Sequence, residues 1–572
     1  MRNTYCLRLL KSFLLAITAG IILPAALPAM PPFPQENGSM KANQVPQSYY
    51  MKNRNRLHEN GVNAPGDLLT KRKTGLTKAN VSREINILAI LIDFSDKPAQ
   101  AMAAYFDTLI YEDISGSVMN YYKEVSYNTL TITTAVIPST FGWQRAPETY
   151  DYYCNGQNGL GGYPNNARKL VEDAVDLVDP YVDFSNYDND SDGEVDGLII
   201  IHSGTGAEKT GSSDDIWSHK WTINARLVDG VYVKTYTMDP EYWNYPEDMT
   251  CGVFCHELGH MFGLPDLYDT DLSSNGIGKW SLMASGAWNG TLGNSPAHLD
   301  AWCKEQLGFV ITEQLVSNQT NISIPAVENN PTVYKLTTDS LANEEYFLVE
   351  NRQQISYDSH LPGNGLLIWH IYNSQSNNNS EWMPENGVAS STNNYKVALI
   401  QADNNWDLEK CINRGDSGDP FPGLSGNNIF NSNSSPNSYS YSGTASNVSV
   451  VNISNSGAIM TADMGIGIEG NSHDDNQTAG NLVLNQNFPN PFNSMTTISF
   501  QLKQAGFAEI AIFDISGRLV KKVFSGNLSV GLHNFVWDGS NQSGFNVGSG
   551  VYLYRISLNN TDSLYRKMLL IK

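Results

Sequence analysis

The segment His256-Glu257-Leu258-Gly259-His260 holds the residues best able to do chemistry in this chain. On a helix, side chains four residues apart lie on the same face, so His256 and His260 can bind one metal ion together. Glu257 is the next residue along the helix after His256 and can reach a water on that metal without binding the metal itself. Zinc lowers the pKa of such a water toward about 7, within reach of a carboxylate base. The pattern therefore predicts a zinc-dependent hydrolase with Glu257 as the general base.

A catalytic zinc needs a third protein ligand, and the residues after this segment offer one. Gly263 can take the left-handed conformation that ends a helix, and Pro265 prevents the helix from continuing. The chain must turn there, which can bring Asp266 back toward the metal in the metzincin-type pattern H-E-x-x-H-x-x-G-x-x-D. Asp269 and Glu305 are alternatives, the latter on a predicted helix further along the chain. The sequence thus leaves three candidate carboxylates, with Asp266 preferred.

A second pattern of oxygen ligands, between residues 188 and 196, reads D-x-D-x-D-G-x-x-D. Carboxylates at alternate positions around a glycine turn suit calcium, and without a cation they would repel one another. The loop is not a full EF-hand, because Ile199 stands at the twelfth position, where a bidentate glutamate belongs. We expect calcium here rather than a solvated acidic turn, with the following ligands: Asp188, Asp190, Asp192, Glu194 and Asp196. A further acidic turn at residues 414–419 is a weaker calcium candidate.

The elements that position these residues follow from the hydrophobic pattern. Residues 84–94 and 195–204 are continuous apolar runs typical of buried strands. Residues 117–126 have a helical pattern, and residues 130–137 alternate like a strand. Because strands and helices interleave up to about residue 310, we predict an α/β (α+β) domain over residues 83–310. Its H-E-x-x-H-x-x-G-x-x-D pattern resembles that of the metzincins, which implies a metzincin-like zinc peptidase domain.

Several segments of this region resemble the immune inhibitor A-like family of secreted zinc metallopeptidases. The resemblance covers roughly residues 84–430 and, besides the zinc pattern, includes VMNYYKEVSYNTLTIT, VDFSNYDNDSDGEVDGLIIIHSGTGAE, IWSHKW, WSLMASGAWNG, SPAHLDAWCKEQLGF, EYFLVENRQ and LPGNGLLIWHI. The resemblance implies proteolysis, with His256, His260 and Asp266 as zinc ligands and Glu257 as the base. Metzincins have a methionine turn beneath the zinc, and Met283 is the residue that this sequence offers for it.

The residue that stabilises the transition state is not identified by these patterns. Metzincins more often have histidine at the position of Asp266, and the tyrosine that often follows their methionine turn has no clear counterpart after Met283. His219 and His298 are weak candidates, and each is better interpreted as a structural histidine.

Beyond the peptidase domain the sequence changes to short alternating runs. Residues 311–466 are predicted to form an all-β region associated with the catalytic domain. Residues 467–481 form a polar linker, and residues 482–572 carry short strands with frequent turns, as in an immunoglobulin-like β-sandwich.

The last part of the chain also resembles a known module, the C-terminal sorting domain of the type IX secretion system. The resemblance spans residues 482–572 and includes LVLNQNFPNPFNSMTTISFQL, IAIFDISGRLVKKVFSG and KMLLIK. It implies that the type IX machinery is a partner and that the protein crosses the outer membrane of a Bacteroidetes-like bacterium. An ordinary immunoglobulin-like spacer or adhesion module is the alternative.

The N-terminus has the three parts of a secretory signal peptide in residues 1–29. Arg2, Arg8 and Lys11 are basic, an apolar core follows, and small residues end it. Residues 30–82 are polar and weakly patterned, as in a propeptide or an N-terminal arm. No later apolar run approaches the roughly 20 residues that a membrane helix needs, so we expect no transmembrane span in the mature chain.

Composition narrows the class of protein further. The formal net charge of −22 makes nucleic acid a poor partner and favours cation binding. Five cysteines follow the predicted signal peptide, an odd number that excludes a dense disulfide framework: Cys154, Cys251, Cys255, Cys303 and Cys411. We expect core cysteines with one or two possible bridges, since a zinc site at Cys251 and Cys255 would need two more ligands.

The sequence therefore predicts a secreted or cell-surface zinc endopeptidase that is stabilised by calcium and acts on extracellular proteins or peptides. Two alternatives remain: a non-catalytic surface adhesin on a peptidase scaffold, and a zinc hydrolase of another amide, such as a peptidoglycan cross-link. The intact His256, Glu257 and His260 argue against the adhesin.

Overall fold

The computed structural model describes residues 30–33, 49–66, 68–69, 82–381, 383, 393–466, 476–479, 481–485, 487, 490, 492–559 and 562–571. The chain divides into two compact units, with the boundary between residues 467 and 468. The predicted signal peptide lies outside the described residues. Within these ranges, no helix combines the length and the apolar character that crossing a bilayer requires.

The first unit alternates helices and strands in its N-terminal part and consists mainly of strands after residue 310. Its helices are α1 (Tyr49–Glu59), α2 (Ala103–Tyr111), α3 (Val118–Val125), α4 (Tyr150–Cys154), α5 (Ala167–Val178), α6 (Ala207–Thr210), α7 (Cys251–Met261) and α8 (Ala301–Leu307). Its strands are β1 (Arg83–Asn86), β2 (Leu88–Asp93), β3 (Leu130–Thr133), β4 (Gln144–Arg145), β5 (Leu198–His202), β6 (His219–Val228), β7 (Val231–Pro240), β8 (Ile311–Gln314), β9 (Gln319–Pro325), β10 (Thr332–Leu336), β11 (Glu345–Arg352), β12 (Gly365–Tyr372), β13 (Val397–Ile400), β14 (Val448–Val451) and β15 (Ile459–Ile466).

The central sheet of the peptidase region has the strand order β4-β2-β5-β7-β6. Strands β4, β2, β5 and β7 run parallel, and β6 joins the edge antiparallel to β7. Successive residues of β2 alternate between two hydrophobic cores, with Ala89 and Leu91 in one and Leu88 and Ile90 in the other. Because both faces of the sheet are covered, its inner strands have the continuous apolar runs seen in the sequence.

The predicted elements of this region agree with the structure, with two exceptions. The predicted helix at residues 117–126 is α3, and the predicted strand at 195–204 contains β5. The run at 84–94 is not one strand, because it divides at Ile87 into β1, which pairs with β3, and β2, which lies in the central sheet. The alternating run that begins at residue 130 is a strand only as far as Thr133.

The region after residue 310 is β-rich, as predicted. One sheet has the order β13-β12-β11-β10-β8, another has the order β14-β15-β9, and both contribute to a third hydrophobic core. This region belongs to the same compact unit as the peptidase region. A buried ion cluster lies where they meet: Arg352 on β11 binds Asp358 through two hydrogen bonds of 2.7 and 2.8 Å, and it also contacts Glu350 and the carbonyl oxygen of Trp280.

The second unit contains two antiparallel sheets around its own core. Its strands are β16 (Asn476–Ala479), β17 (Leu482–Asn485), β18 (Thr496–Leu502), β19 (Gly506–Asp514), β20 (Leu519–Leu528), β21 (Gly531–Trp537), β22 (Gly550–Leu558) and β23 (Asp562–Leu570). The sheet orders are β16-β17-β18-β21 and β20-β19-β22-β23. Strand β16 lies within the predicted linker at 467–481 and pairs with β17, and residues 467–475 lie outside the described residues.

The expected disulfide bridges do not form. The five cysteines of the described chain are free thiols, and four of them are buried: Cys154, Cys251, Cys255 and Cys303. They act as small apolar residues of the core.

Candidate metal centre

Helix α7 carries the predicted zinc-binding pattern and is buried along its whole length. Two glycines let other segments approach its backbone closely. A Cβ atom on Gly252 would collide with the carbonyl oxygen of Ala287, and one on Gly259 would lie 2.5 Å from Met283 Sδ. The predicted methionine-turn residue therefore packs against the helix at the glycine next to His260.

Backbone carbonyl groups orient the two imidazole rings. His256 Nδ1 lies 2.9 Å from the carbonyl oxygen of Leu282, and His260 Nδ1 lies 2.9 Å from that of Leu264. A carbonyl oxygen only accepts hydrogen bonds, so each Nδ1 carries the hydrogen of a neutral ring and each Nε2 presents a lone pair. Both Nε2 atoms are buried and have no hydrogen-bond partner. The rings thus present the atoms with which histidine binds zinc.

Asp266 completes a buried cluster with the two histidines. Gly263, at φ +108°, allows the turn after α7 that the sequence predicts. Asp266 Oδ1 lies 3.0 Å from His256 Nε2 and 3.4 Å from His260 Nε2, and the donor atoms of all three residues lie within 4.8 Å of one another. These separations suit hydrogen bonds, but the facing atoms all carry lone pairs, and neither oxygen of Asp266 has a hydrogen-bond partner. A shared cation satisfies such a set of atoms.

The two alternative carboxylates are engaged elsewhere. Asp269 Oδ2 accepts hydrogen bonds from Ser273 Oγ and from both the amide and the hydroxyl of Ser274, each at 2.8 Å. Glu305 accepts a 2.9 Å hydrogen bond from the Tyr346 hydroxyl. Of the three carboxylates that the sequence left open, the structure brings Asp266 to the histidines.

Burial governs the protonation of these groups. It raises the pKa of Asp266 to about 7 and lowers the pKa of His260 to about 3. It also lowers the pKa of His256, although the adjacent Asp266 opposes that change. The pKa of Glu257 is raised well above its usual value by burial and then by the charges of Asp239 and Asp266. A cation reverses the effect of burial on the carboxylates, because it favours their charged form.

The predicted base contacts a segment near the N-terminus of the described chain. The amide of Met30 donates a 3.2 Å hydrogen bond to Glu257 Oε1, and Glu257 Oε2 is buried without a hydrogen-bond partner. Met30 is itself fully buried. Residues 30–33 therefore lie directly over the predicted catalytic carboxylate.

We call the space bounded by Glu257, Trp217 and Trp288 the cleft, and the two tryptophans hold the rest of the segment there. The indoles of Trp217 and Trp288 donate hydrogen bonds of 3.2 and 2.9 Å to the carbonyl oxygens of Met30 and Pro31. The ring of Phe33 packs edge-on against Trp288 with 4.9 Å between centroids. Two indole donors on successive carbonyl groups, together with the packed Phe33 ring, hold the segment in place.

Tyr268 is a candidate functional residue that the sequence patterns missed. Its ring centroid lies 6.5 Å from that of His256, and its hydroxyl is buried. It also lines a small cavity together with Pro31 and Pro32. Burial raises its pKa well above the usual value, and the charge of Asp266 adds to the effect, so the phenol remains a neutral hydrogen-bond donor. Its position two residues after Asp266 was the available signal.

The two weak histidine candidates have structural partners. His219 Nε2 lies 3.0 Å from the Tyr236 hydroxyl, and His298 lies 2.8 Å from Glu124 and 3.1 Å from Lys304. Neither belongs to the cluster of His256, His260 and Asp266.

The acidic loop at residues 188–196 gathers part of its predicted ligand set. Oxygen atoms of Asp188, Asp190 and Asp196 lie within 4.8 Å of one another. Asp190 Oδ1 is buried without a hydrogen-bond partner. Burial raises the pKa of Asp196 to about 7, and the neighbouring aspartates add to the shift. These three residues form an oxygen cluster suited to calcium.

Two predicted calcium ligands do not join this cluster. The carboxylate of Glu194 forms an ion pair with Lys234 on β7. Asp192 Oδ1 accepts a 2.9 Å hydrogen bond from the backbone amide of Glu194. The structure therefore gathers three of the five predicted ligands, and calcium binding at this loop stays a prediction.

Comparison with known protein families finds matches for two parts of the chain. Residues 75–312 match the model of the immune inhibitor A peptidase M6 catalytic domain, and residues 488–562 match the FlgD Ig-like domain. The pre-pro-metalloprotease PrtV of Vibrio cholerae is 29% identical over 316 residues, which cover 45% of this chain and 33% of that protein. Immune inhibitor A of Bacillus thuringiensis is 34% identical over 219 residues, covering 32% of this chain and 31% of that protein. The chain thus spans about a third of the length of these curated relatives.

Similarity to solved structures is weak. Wild type OgpA from Akkermansia muciniphila is 13% identical, with a TM-score of 0.22 over 86% of this chain and 92% of that one. A score this low establishes no shared fold. The sequence matches therefore support a metallopeptidase of the immune inhibitor A type, and the structure supplies the geometry of its candidate site.

Proposed function

We propose that this chain is a secreted zinc-dependent endopeptidase that hydrolyses peptide bonds of extracellular proteins. The observation that carries the proposal is the buried set of unpartnered donor atoms on His256, His260 and Asp266. Two neutral imidazoles and one carboxylate are a common zinc ligand set, and three protein ligands leave one coordination position for water or substrate. The match to the peptidase M6 catalytic domain supports the same conclusion.

The roles of the chain's own residues follow from this geometry. Zinc bound here supplies a Lewis acid that acidifies water and polarises a peptide carbonyl group. In this proposal Glu257 Oε2, which is buried without a hydrogen-bond partner, accepts the proton of the attacking water and delivers it to the leaving amine. Burial raises the pKa of Glu257, and the charge of a bound cation would lower it again, so the carboxylate can act as a base. The hydroxyl of Tyr268 stabilises the negative charge that develops on the carbonyl oxygen.

Residues 30–33 form the inhibitory part of a propeptide in this proposal. The segment occupies the cleft and its first amide binds Glu257, so a substrate cannot reach the base while it is in place. Two indoles bind its backbone carbonyl groups, as they would bind those of a substrate. Cleavage within residues 34–82 followed by release of the segment would activate the enzyme.

Calcium binding by Asp188, Asp190 and Asp196 stabilises the start of β5 in this proposal. The loop is also tied to β1, because Asn189 and Asn86 exchange hydrogen bonds of 2.8 and 3.0 Å. We expect EGTA to lower the thermal unfolding temperature of the parent protein and to lower that of Asp190→Asn by less. An equal shift in both proteins would count against this loop as the site.

The C-terminal unit is proposed to act as a type IX secretion sorting domain, which exports the enzyme across an outer membrane and releases or anchors it there. The FlgD Ig-like match is consistent with the predicted sandwich and supports its alternative role as a spacer equally well. Expression in a type IX-competent bacterium with and without residues 482–572 separates the two, since a spacer is dispensable for export.

The test of the catalytic proposal is hydrolysis of casein by the processed protein and by Glu257→Gln. We expect the variant to lose activity by about 10²–10⁴-fold, because it retains the shape of the side chain without the base. Zinc content is measured in both proteins and should stay near one ion per chain. Glu112→Gln, on an exposed side chain, is the matched control and should retain full activity.

Two outcomes would replace the proposal by one of its alternatives. Equal casein hydrolysis by parent and Glu257→Gln, or no hydrolysis by either processed protein, would favour a binding protein on a peptidase scaffold. Hydrolysis of peptidoglycan cross-links without hydrolysis of casein would favour an amidase of the cell wall.

A further inference from the structure

A third group of carboxylates lies in the loop that follows β13. Oxygen atoms of Asp403, Asp416 and Asp419 come within 4.8 Å of one another, although Asp403 lies near the start of the loop and the other two lie near its end. The packing is tight enough that a Cβ atom on Gly418 would collide with the Asp403 carboxylate. The loop thus folds back on itself with its negative charges facing inward.

The hydrogen bonds of this group come from neutral donors. Asp416 Oδ1 accepts from the amide of Gly418 at 2.7 Å, and Asp419 Oδ2 accepts from the amide of Asp416 and from Trp280 Nε1, both at 3.0 Å. Asp403 accepts from the backbone and side-chain nitrogen atoms of Asn405. Among the described residues, no lysine or arginine forms an ion pair with any of the three aspartates.

One oxygen of the group identifies it as more than an acidic patch. Asp419 is 1% exposed, and its Oδ1 atom is buried without a hydrogen-bond partner. An unpaired carboxylate oxygen in that position is costly, and the two neighbouring carboxylates add repulsion. Burial and then the charge of Asp416 raise the pKa of Asp419 to about 8. A hard cation removes all of these costs, and the donor set contains oxygen alone, which calcium prefers.

The loop is attached to the segment that packs under the candidate zinc site. The amide of Lys279 donates a 2.8 Å hydrogen bond to the Arg414 carbonyl oxygen, and Gly415 lies against the indole of Trp280. Two residues after Trp280, the carbonyl oxygen of Leu282 orients His256. The position of the carboxylate group is therefore linked through Trp280 to a candidate zinc ligand.

We propose that Asp403, Asp416 and Asp419 form a second calcium site, which fixes the loop at residues 401–419 against Trp280 and thereby supports the segment that orients His256. The two half-buried aspartates leave one side of the site open to water, which completes the coordination shell. Calcium binding at this loop requires neither zinc nor proteolysis, so it stands or falls separately from the proposed function.

The site is tested in the full chain carrying Asp190→Asn, which removes a key ligand of the other acidic loop. Terbium(III) serves as the probe for calcium, because its luminescence is excited through a nearby indole and Trp280 is bonded to Asp419. We expect tryptophan-sensitised luminescence that calcium displaces, and calorimetric titration with calcium alone should give one site per chain. Adding Asp416→Asn or Asp403→Asn should weaken binding by about tenfold or more, because each removes one charged ligand.

Asp339→Asn in the same background is the matched control, since Asp339 is an exposed aspartate of the same β-rich region. It should bind terbium and calcium as the background protein does. Two different ligand variants are used so that one remains informative if the other fails to fold, as judged by circular dichroism. Absence of binding in the Asp190→Asn background, or unchanged affinity in a folded Asp403→Asn or Asp416→Asn variant, would overturn the proposal.

Discussion

At the scale of single residues, the candidate zinc site depends on which atom of each side chain is left without a partner. The carbonyl groups of Leu282 and Leu264 use the Nδ1 hydrogens of His256 and His260, which leaves both Nε2 lone pairs directed at Asp266. When Asp266 is ionised, the three facing atoms carry only lone pairs, and such an arrangement in a dry core is unfavourable without a cation. Without a bound ion these contacts would destabilise the protein, so the site favours the binding of a cation.

Tyr268 gives the first prediction at this scale. Replacing it by Phe removes only the hydroxyl, so we expect kcat for casein to fall by about 10²-fold, because a donor that strengthens in the transition state is lost. KM and zinc content should change little, since the ring stays in place beside His256. The measurement is steady-state kinetics of the processed protein together with metal analysis.

A conservative change at a neighbouring tyrosine of the same core provides the control. Tyr122→Phe removes a buried hydroxyl that donates a hydrogen bond to the Cys255 carbonyl oxygen of α7. It should lower stability and leave kcat near that of the parent. If Tyr268→Phe retained the parent's kcat, or if its loss of activity came with loss of zinc, Tyr268 would have no direct part in the reaction.

Local spacing predicted some of these residues and could not predict others. His256, Glu257 and His260 follow from the helical period alone, because α7 supplies their geometry. The choice of Asp266 over Asp269 depends on how the chain turns after Gly263 and on serine hydroxyls that bind Asp269. Tyr268 contacts His256 and Glu194 pairs with Lys234 through tertiary packing, so the spacing of residues in the sequence did not by itself reveal either contact.

At the scale of elements, the predicted strands were correct where burial on both faces decides the pattern. Strands β2 and β5 are buried along their length, and their continuous apolar runs predicted them. The division of residues 84–94 at Ile87 was not predictable, because Ile85 and Ile87 are both fully buried and the apolar run does not stop there. The strand before Ile87 pairs with β3 and the strand after it pairs with β5. This change of pairing partner does not alter the hydrophobic pattern of the sequence.

The buried ion pair between Arg352 of β11 and Asp358 gives a prediction at this scale. Burial alone would raise the pKa of Asp358, but Arg352 beside it lowers the pKa to about 2. A carboxylate with a lowered pKa in the folded state stabilises the fold above its unfolded pKa of about 4, and that contribution is lost as pH falls toward 2. We expect Asp358→Asn to lower the free energy of unfolding at pH 7 by about 3 kcal/mol, because the buried Arg352 loses the partner that binds it through two hydrogen bonds and is left with Glu350 and Glu328.

The same variant should also be less sensitive to acid. Denaturant unfolding at pH 7 and pH 3 measures this, and the loss of stability between these pH values should be smaller in Asp358→Asn than in the parent. Asp339→Asn, on an exposed side chain, should show the parent's stability and the parent's acid sensitivity. A variant as stable as the parent, or one with undiminished acid sensitivity, would mean that the pair with Arg352 does not stabilise the fold.

At the scale of the whole molecule, the two compact units each enclose their own hydrophobic core. The sequence predicted the C-terminal sandwich as a separate module because a polar stretch interrupts the strand pattern before it. It also predicted a β-rich region after residue 310, but not how closely that region is joined to the peptidase region. Arg352 and Asp419 are two of the residues that join the regions, since both bind Trp280, and such contacts between distant segments carry no local signal.

The position of residues 30–33 makes a prediction about the activity of the whole chain before processing. The ring of Phe33 packs against Trp288, and Lys209 Nζ lies 4.1 Å from its centroid, so this side chain holds the segment in the cleft. Phe33→Ala removes an aromatic pair of about 1 kcal/mol, which should raise the activity of the unprocessed chain about fivefold. The initial rate of casein hydrolysis, measured before any cleavage of the enzyme is detectable on a gel, reports this change. Lys52→Ala, on the exposed side of α1, is the control and should leave the rate as low as that of the parent. Equal rates for Phe33→Ala and the parent would show that the segment does not block the site. A parent that is already as active as the processed enzyme would show the same.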